Sequence, residues 1–256
     1  MKIQRRYFYK YRSLGADSRE HTLRIMSEGR IYFPKLAELN DPHDGKIFFE
    51  KSCSVEKLTD LHRRLKDTYG SPHFEVEDLV DGTGNLVQDR VEELFKSLVN
   101  SKDMFSEYGV LCLSETCTNP LMWAHYSKHT GVCIEFDGAG TALQDPKRNH
   151  RIRYSRDYPV VKITDFAYGN NAVNAILRTK CEDWRYEKEW RLLGSEGGKE
   201  SELLARISCV IFGLKTSWDD QNEIQRIAMK AKIGLKIVEM ADKKYDFEVR
   251  DYELPV

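Results

Sequence analysis

The run Ala205-Arg206-Ile207-Ser208-Cys209-Val210-Ile211-Phe212 is apolar and β-branched enough to be a central strand of a sheet. Directly after it, Asp219–Lys232 carries helical spacing, and Leu235–Met240 and Phe247–Tyr252 supply two terminal strands. Toward the N-terminus, Gly131–Phe136 and Gly109–Leu113 have the same buried-strand character, and Arg151–Tyr154 is a further strand. Asn119-Pro120 opens a helix over Leu121–Lys128, because the first helical turn leaves unbonded the N–H that proline lacks. Ala172–Lys180 is helical, and Tyr186–Leu193 is taken as a strand.

The first half of the chain is less regular. Tyr7–Arg12 alternates aromatic and basic residues and forms the first strand. Asp17 or Ser18 caps a helix running to Met26, closed by Gly29. Arg30–Phe33 is a strand stopped by Pro34, Leu36–Leu39 a single helical turn, and Lys46–Phe49 another strand. Val55 to about Tyr69 is an amphipathic helix with Leu58, Leu61 and Leu65 on one face, and Gln88–Val99 is a second. Between them Gly70–Asn85 is turn-rich, with Pro72, Gly82 and Gly84. Helices and strands mix without a βαβ rhythm or a glycine-rich nucleotide turn. The pattern predicts a single α+β domain over residues 1–256, with a helical, irregular insertion at about 52–106. Its sheet is mixed and curved, split or continuous, with helices packed outside.

Forty basic residues against 41 acidic ones, a net charge of -1, argue against a chain whose main task is coating nucleic acid or an anionic membrane. No run of about 18 apolar residues exists, so no spanning helix is expected. The basic start Met1–Arg6 leads into a stretch broken by Lys10 and Arg12 rather than into an apolar signal core, and a cytoplasmic protein is expected. The six cysteines contain no C-x-x-C pair, which argues against structural zinc and for reduced, mostly buried thiols.

Four segments carry candidate chemistry. In Tyr9-Lys10-Tyr11-Arg12-Ser13, alternation puts Lys10 and Arg12 on one face, where an arginine fork suits phosphate or carboxylate and a solvated edge is the plainer alternative. Asn40-Asp41-Pro42-His43-Asp44-Gly45 holds metal-ligand types, yet these are also the ordinary turn formers. Ser114-Glu115 precedes Leu121-Met122-Trp123-Ala124-His125-Tyr126, in which Met122 pairs with Tyr126 and Leu121 with His125 along a helix. Such an aromatic turn suits a flat ring as well as it suits a core. Finally, Trp184-Arg185-Tyr186-Glu187-Lys188-Glu189-Trp190-Arg191, taken as a strand from Tyr186, puts Glu187, Glu189 and Arg191 on one face. Two carboxylates and an arginine together fit a site, and they fit a solvated charged face too.

Together these segments resemble a bacterial family known as domain of unknown function 2971. The resemblance is carried by Tyr9–Ser13, Leu39–Asp44, Met122–Tyr126, Gly131–Phe136 and Trp184–Arg191, in that order, with His43 standing where the family pattern has a phenylalanine. The family name implies no activity. A looser similarity is to ADP-ribosyltransferases, which bind NAD in the cleft of a split, curved sheet. It implies that Arg12, beside Tyr11, anchors the cofactor's phosphate or ribose, with Ser114 and Arg191 lining the same site. Trp123 and Tyr126 would frame the nicotinamide, and His125 would be a catalytic residue with the glutamates. Glu187 or Glu189 would hold the ribose and stabilise an oxocarbenium-like cation without a metal; Glu189 is preferred for its place beside Trp190.

The leading expectation is therefore an NAD-consuming ADP-ribosyltransferase-like enzyme or NAD glycohydrolase, a toxin or phage-defence effector, with NAD as co-substrate and a protein or nucleic acid as acceptor. The alternative is a non-catalytic module that senses a nucleotide-like small molecule, its glutamates and Arg191 forming an internal salt-bridge lattice. The third is a metal-dependent hydrolase or nuclease using Asp41, Asp44 and Glu187 or Glu189.

Overall fold

Strand-forming residues build one mixed, open sheet of eight strands in the order β14-β13-β12-β5-β1-β4-β10-β6. Its members are β1 (Tyr7–Arg12), β4 (Gly109–Ser114), β5 (Val132–Asp137), β6 (Asn149–Arg151), β10 (Glu189–Gly194), β12 (Arg206–Phe212), β13 (Gly234–Met240) and β14 (Phe247–Asp251). All neighbours are antiparallel except β12 and β13, which run parallel. The fold is α+β, as expected. The computed structural model describes residues 6–50, 52–70, 74–100, 108–166, 171–202 and 205–253. Residues Met1–Arg5, Pro72 in the turn-rich stretch and the end of the expected insertion at 101–106 lie outside the described residues.

The chain divides into two compact units, one of Met1–Pro34, Gly109–Ile152 and Asp183–Val256, the other of Lys35–Tyr108 and Arg153–Glu182. The first holds the eight-stranded sheet. Its core lies on both sheet faces. On one, Phe8, Leu111, Leu113, Ile134, Phe136 and Leu192 pack with Ile25 and Met26 of α1 (Ala16–Glu28). Here also lie β2 (Arg30–Phe33) and its antiparallel partner β11 (Lys199–Glu202). On the other face Tyr11, Cys133, Cys209 and Ile211 pack with Met122 and Trp123.

Most boundaries follow from capping and alternation. Gly29 closes α1 with a left-handed φ of 66°, which costs a glycine little. The cap at the other end is Gly15, and Asp17 and Ser18 fall inside the first turn rather than before it. The expected strand Arg151–Tyr154 is two strands, β6 and β7 (Arg153–Ser155), parted by Ile152 and belonging to different units.

In the second unit, α2 (Val55–Tyr69) is capped by Ser54, whose hydroxyl accepts the Lys57 N–H at 3.3 Å. Its Leu58, Leu61 and Leu65 pack with Val91 and Phe95 of α3 (Gln88–Asn100). Two short parallel pairs complete the unit. They are β3 (Phe48–Glu50) with β8 (Val160–Lys162), and β7 with β9 (Thr179–Cys181), which follows α5 (Asn171–Arg178). The helix expected to reach Lys180 ends at Arg178, where Thr179 starts to pair with Arg153. Among the described residues, no helix is long and apolar enough to cross a membrane.

Candidate functional site

Three adjacent strands of the first unit place a polar row across the sheet. Ser114 closes β4, and its registered neighbours are Glu189 on β10 and Tyr9 on β1, while Tyr9 in turn lies opposite Glu135 on β5. Residues directly opposite in an antiparallel pair project from the same face, so Ser114, Glu189, Tyr9 and Glu135 share one side of the sheet. Arg191, two residues past Glu189, joins them there. The Tyr9 hydroxyl donates to Glu135 at 3.1 Å; burial, then Cys117 and Glu135, push its pKa upward.

Glu187 reaches the same region by a different route from the one its sequence implies. Residues Glu182–Glu187 form a 3-10 helix, and β10 begins at Glu189. Lys188 between them is in the left-handed region at φ 46°, a conformation that costs a non-glycine residue of order 1–3 kcal/mol. The kink breaks strict alternation and leaves Glu187 and Glu189 both only 2% exposed. Ser114 fastens the turn, its hydroxyl donating to the Glu187 carbonyl at 2.6 Å.

Each buried carboxylate has a charged or polar anchor. Arg191, fully buried, donates through Nε to Glu189 at 2.7 Å and through a terminal nitrogen at 3.4 Å. Tyr126 donates its hydroxyl to Glu187 at 2.5 Å. Lys10 leans in from β1, its ammonium 2.9 Å from the Cys112 carbonyl of β4. Burial lowers the Lys10 pKa, Arg12 lowers it further, and Cys112, Glu189 and Glu187 act against that fall. Arg191 and Lys10 thus oppose the charge of Glu187 and Glu189 in a poorly hydrated region, as buried charge requires.

Tyr126 is presented by α4 (Pro120–Ser127). Asn119 caps this helix, accepting from Leu121 N–H at 2.9 Å and Met122 N–H at 3.4 Å, with Pro120 in the first turn as expected. The Asn119 amide also donates to the Tyr186 carbonyl at 3.3 Å, tying the helix to the 3-10 turn that carries Glu187. On the outer side of α4 the exposed His125 stacks on Tyr186 at 6.1 Å with 22° between planes, and Trp184 lies 6.0 Å from both rings. A half-buried aromatic surface therefore adjoins the buried carboxylates.

The sequence-predicted residues separate into two sets. Ser114, Tyr126, Glu187, Glu189 and Arg191 come together, with His125 at their margin. Arg12 does not join them. Alternation puts it with Phe8, on the face where Phe8 meets Trp190 edge-on at 5.6 Å, and its Nε donates to Thr22 of α1 at 3.2 Å. Burial lowers the Arg12 pKa. Trp123 is fully buried, with its indole N–H donating to the Cys117 carbonyl at 2.8 Å and its ring edge-on to Tyr11 at 5.1 Å. It is a core ring and frames no open cleft. Tyr11 is likewise core, its hydroxyl donating to Thr116 O at 3.0 Å. Burial does not separate Glu187 from Glu189, and the indole of Trp190 donates to Glu115 at 2.9 Å, so the expected reason for preferring Glu189 is absent.

Sequence reasoning passed over Lys10, Trp184 and Tyr186 as site residues. The signal for the last two was the i, i+2 spacing of rings beside Glu187; for Lys10 there was none beyond alternation. Asp41 and Asp44 belong to the second unit, and among the described residues no group of three His, Cys, Asp or Glu side chains is placed to hold a metal ion.

With this geometry in place, part of the chain can be assigned. Residues 122–192 match the model of the family described as Protein of unknown function (DUF2971). The matched span is just over a quarter of the chain, and it supports the resemblance expected from the sequence. It contains His125, Tyr126, Glu187, Glu189 and Arg191, whereas β1 and the Asn40–Gly45 loop lie outside it. The family description states no activity. Neither the curated proteins nor the solved structures compared with the chain provide a match.

Proposed function

We propose that the first unit consumes NAD, as an ADP-ribosyltransferase-like enzyme or NAD glycohydrolase, and that the Glu187–Lys188–Glu189 turn is its centre. The observation that carries this reading is the pair of glutamates, both 2% exposed, flanking a left-handed lysine and lying beside the His125–Tyr186–Trp184 stack. Breaking the nicotinamide–ribose bond builds positive charge on the ribose, and a preorganised, desolvated carboxylate stabilises that charge without a metal. Glu187, which accepts from Tyr126 of α4 and directly follows Tyr186 of the stack, is the reacting carboxylate in this reading; Glu189, clasped by Arg191, holds the turn. The stack takes the ring-recognising role first expected of Trp123, and Arg12 has no part in it. In a cell, such consumption would act as a toxin or phage-defence activity, with protein or nucleic acid as acceptor.

Incubation of the whole chain with NAD, followed by chromatography, is expected to release nicotinamide. Glu187→Gln is expected to remove that release while circular dichroism and the melting temperature remain those of folded protein. If NAD is neither bound nor consumed, the reading fails.

The fully buried Glu189–Arg191 pair favours a second reading, a sensing module in which the lattice is structural. Under it, NAD or a related nucleotide raises the melting temperature by preferential binding to the folded chain, yet no nicotinamide is released.

A further inference from the structure

The second unit contains a cavity of about 150 Å3 whose lining includes three cationic side chains, Lys46, Arg156 and Lys180, and one carboxylate, Asp157. We propose that this cavity binds a phosphate-class oxyanion. An excess of positive charge gathered in one concave place is unusual for a chain with a net charge of -1, and it lowers the energy of an anion entering there.

The construction is specific. The Asn40–Gly45 loop supplies His43 on one side, and the turn after β7 supplies Tyr158; His43 Nδ1 lies 2.7 Å from the Tyr158 hydroxyl, with the rings tilted by 32°. The polar edge of His43 is thus turned to Tyr158. Lys180 on β9 is a buried part of the lining, while Lys46 and Arg156 are exposed. Among the described residues neither Lys46 nor Arg156 pairs with a carboxylate, which leaves an ammonium and a planar fork able to turn inward. A guanidinium fork matches two oxygens of a tetrahedral oxyanion, and hydrogen bonds to such charged groups are the strong ones.

Two further cations lie in the same unit. β7 and β9 bring Arg153 opposite Thr179, the residue after Arg178. Nε of Arg178 is buried with no hydrogen-bond partner, and both burial and the charge of Arg153 depress the Arg178 pKa. Neither arginine lines the cavity, so their charges raise the positive potential of this unit without supplying contacts to the anion. The volume suits one oxyanion rather than a polymer backbone. The inference is independent of NAD consumption, which was assigned to the other unit.

The test is calorimetric titration of the full chain with inorganic phosphate at fixed ionic strength, with acetate as the planar comparison and chloride as the balancing anion. Saturable one-site binding of phosphate, with acetate weaker, is expected. Arg156→Gln and Lys46→Gln should each weaken phosphate by about tenfold, the loss of one charge-assisted contact. Asp157→Asn should tighten it severalfold, an effect that a damaged fold does not mimic. A parallel titration with glycerol phosphate distinguishes sources: tighter binding than phosphate marks a phosphoryl group carried by a larger molecule, and equal or weaker binding marks the free ion. Absence of saturable phosphate binding to the unmodified chain, or affinities unchanged in both cation variants, overturns the proposal.

Discussion

Glu189 and Arg191 show how much one pair of side chains can decide. Both are buried, and the arginine reaches the carboxylate with two nitrogens. Glu189→Gln removes the carboxylate that Arg191 grips, and removing one partner of such a buried pair costs about 3–5 kcal/mol. Urea unfolding should record that loss, and it should record a smaller one for Glu189→Gln combined with Arg191→Met, because the buried cation is then gone as well. Additive losses in the double variant would mean that the pair does not act as a unit. The thiols make a second case. Burial pushes Cys117 up to about 11 and Cys209 up to about 12. An unfolded thiol ionises near 8.5, so between about 8.5 and 11 the unfolded chain has shed protons that the folded chain still holds. Stability is therefore full below about pH 8.5 and falls as pH rises through that window. Melting temperatures taken across it should fall, and should fall less in Cys117→Ala after allowance for its packing loss.

At the scale of elements, α4 is the part that joins the aromatic surface to the buried glutamates. Asn119 caps it and also donates to the Tyr186 carbonyl. Asn119→Ala should cost about 1 kcal/mol from the lost cap, and it should slow any nicotinamide release by more than the melting temperature explains, since Tyr126 and Tyr186 lose their common tie. This helix was legible in the sequence because Asn-Pro is a local start signal; so were β1, α2 and β5, whose boundaries follow alternation or helical spacing within a residue or two. What the sequence concealed is nonlocal. The 3-10 turn at 182–187 looks like strand because its residues are aromatic and charged in alternation, and only the left-handed Lys188 breaks the pattern. Membership of Ser114, Glu187, Glu189 and Arg191 in one cluster could be guessed from residue type. The face taken by Arg12 could not, because it depends on the register of β1 against strands about a hundred residues away. Trp123 was misjudged for a simpler reason: a large ring on a helix has the same sequence signature in a core as at a surface.

Across the whole molecule, the open sheet leaves β14 at one edge, with Glu248 and Arg250 exposed on it. Charges on an edge strand oppose pairing with a second chain. Replacing both by valine should raise concentration-dependent light scattering while the melting temperature changes little; unchanged scattering would show that the edge is protected otherwise. β1 lies in the interior of the sheet, yet its neighbours β5 and β4 are residues 132–137 and 109–114. On a ribosome adding roughly 5–20 residues per second, the aromatic stretch Tyr7-Phe8-Tyr9 waits on the order of ten seconds before either partner exists. During synthesis this strand-prone segment therefore stays unpaired until residues about a hundred positions further on have been added.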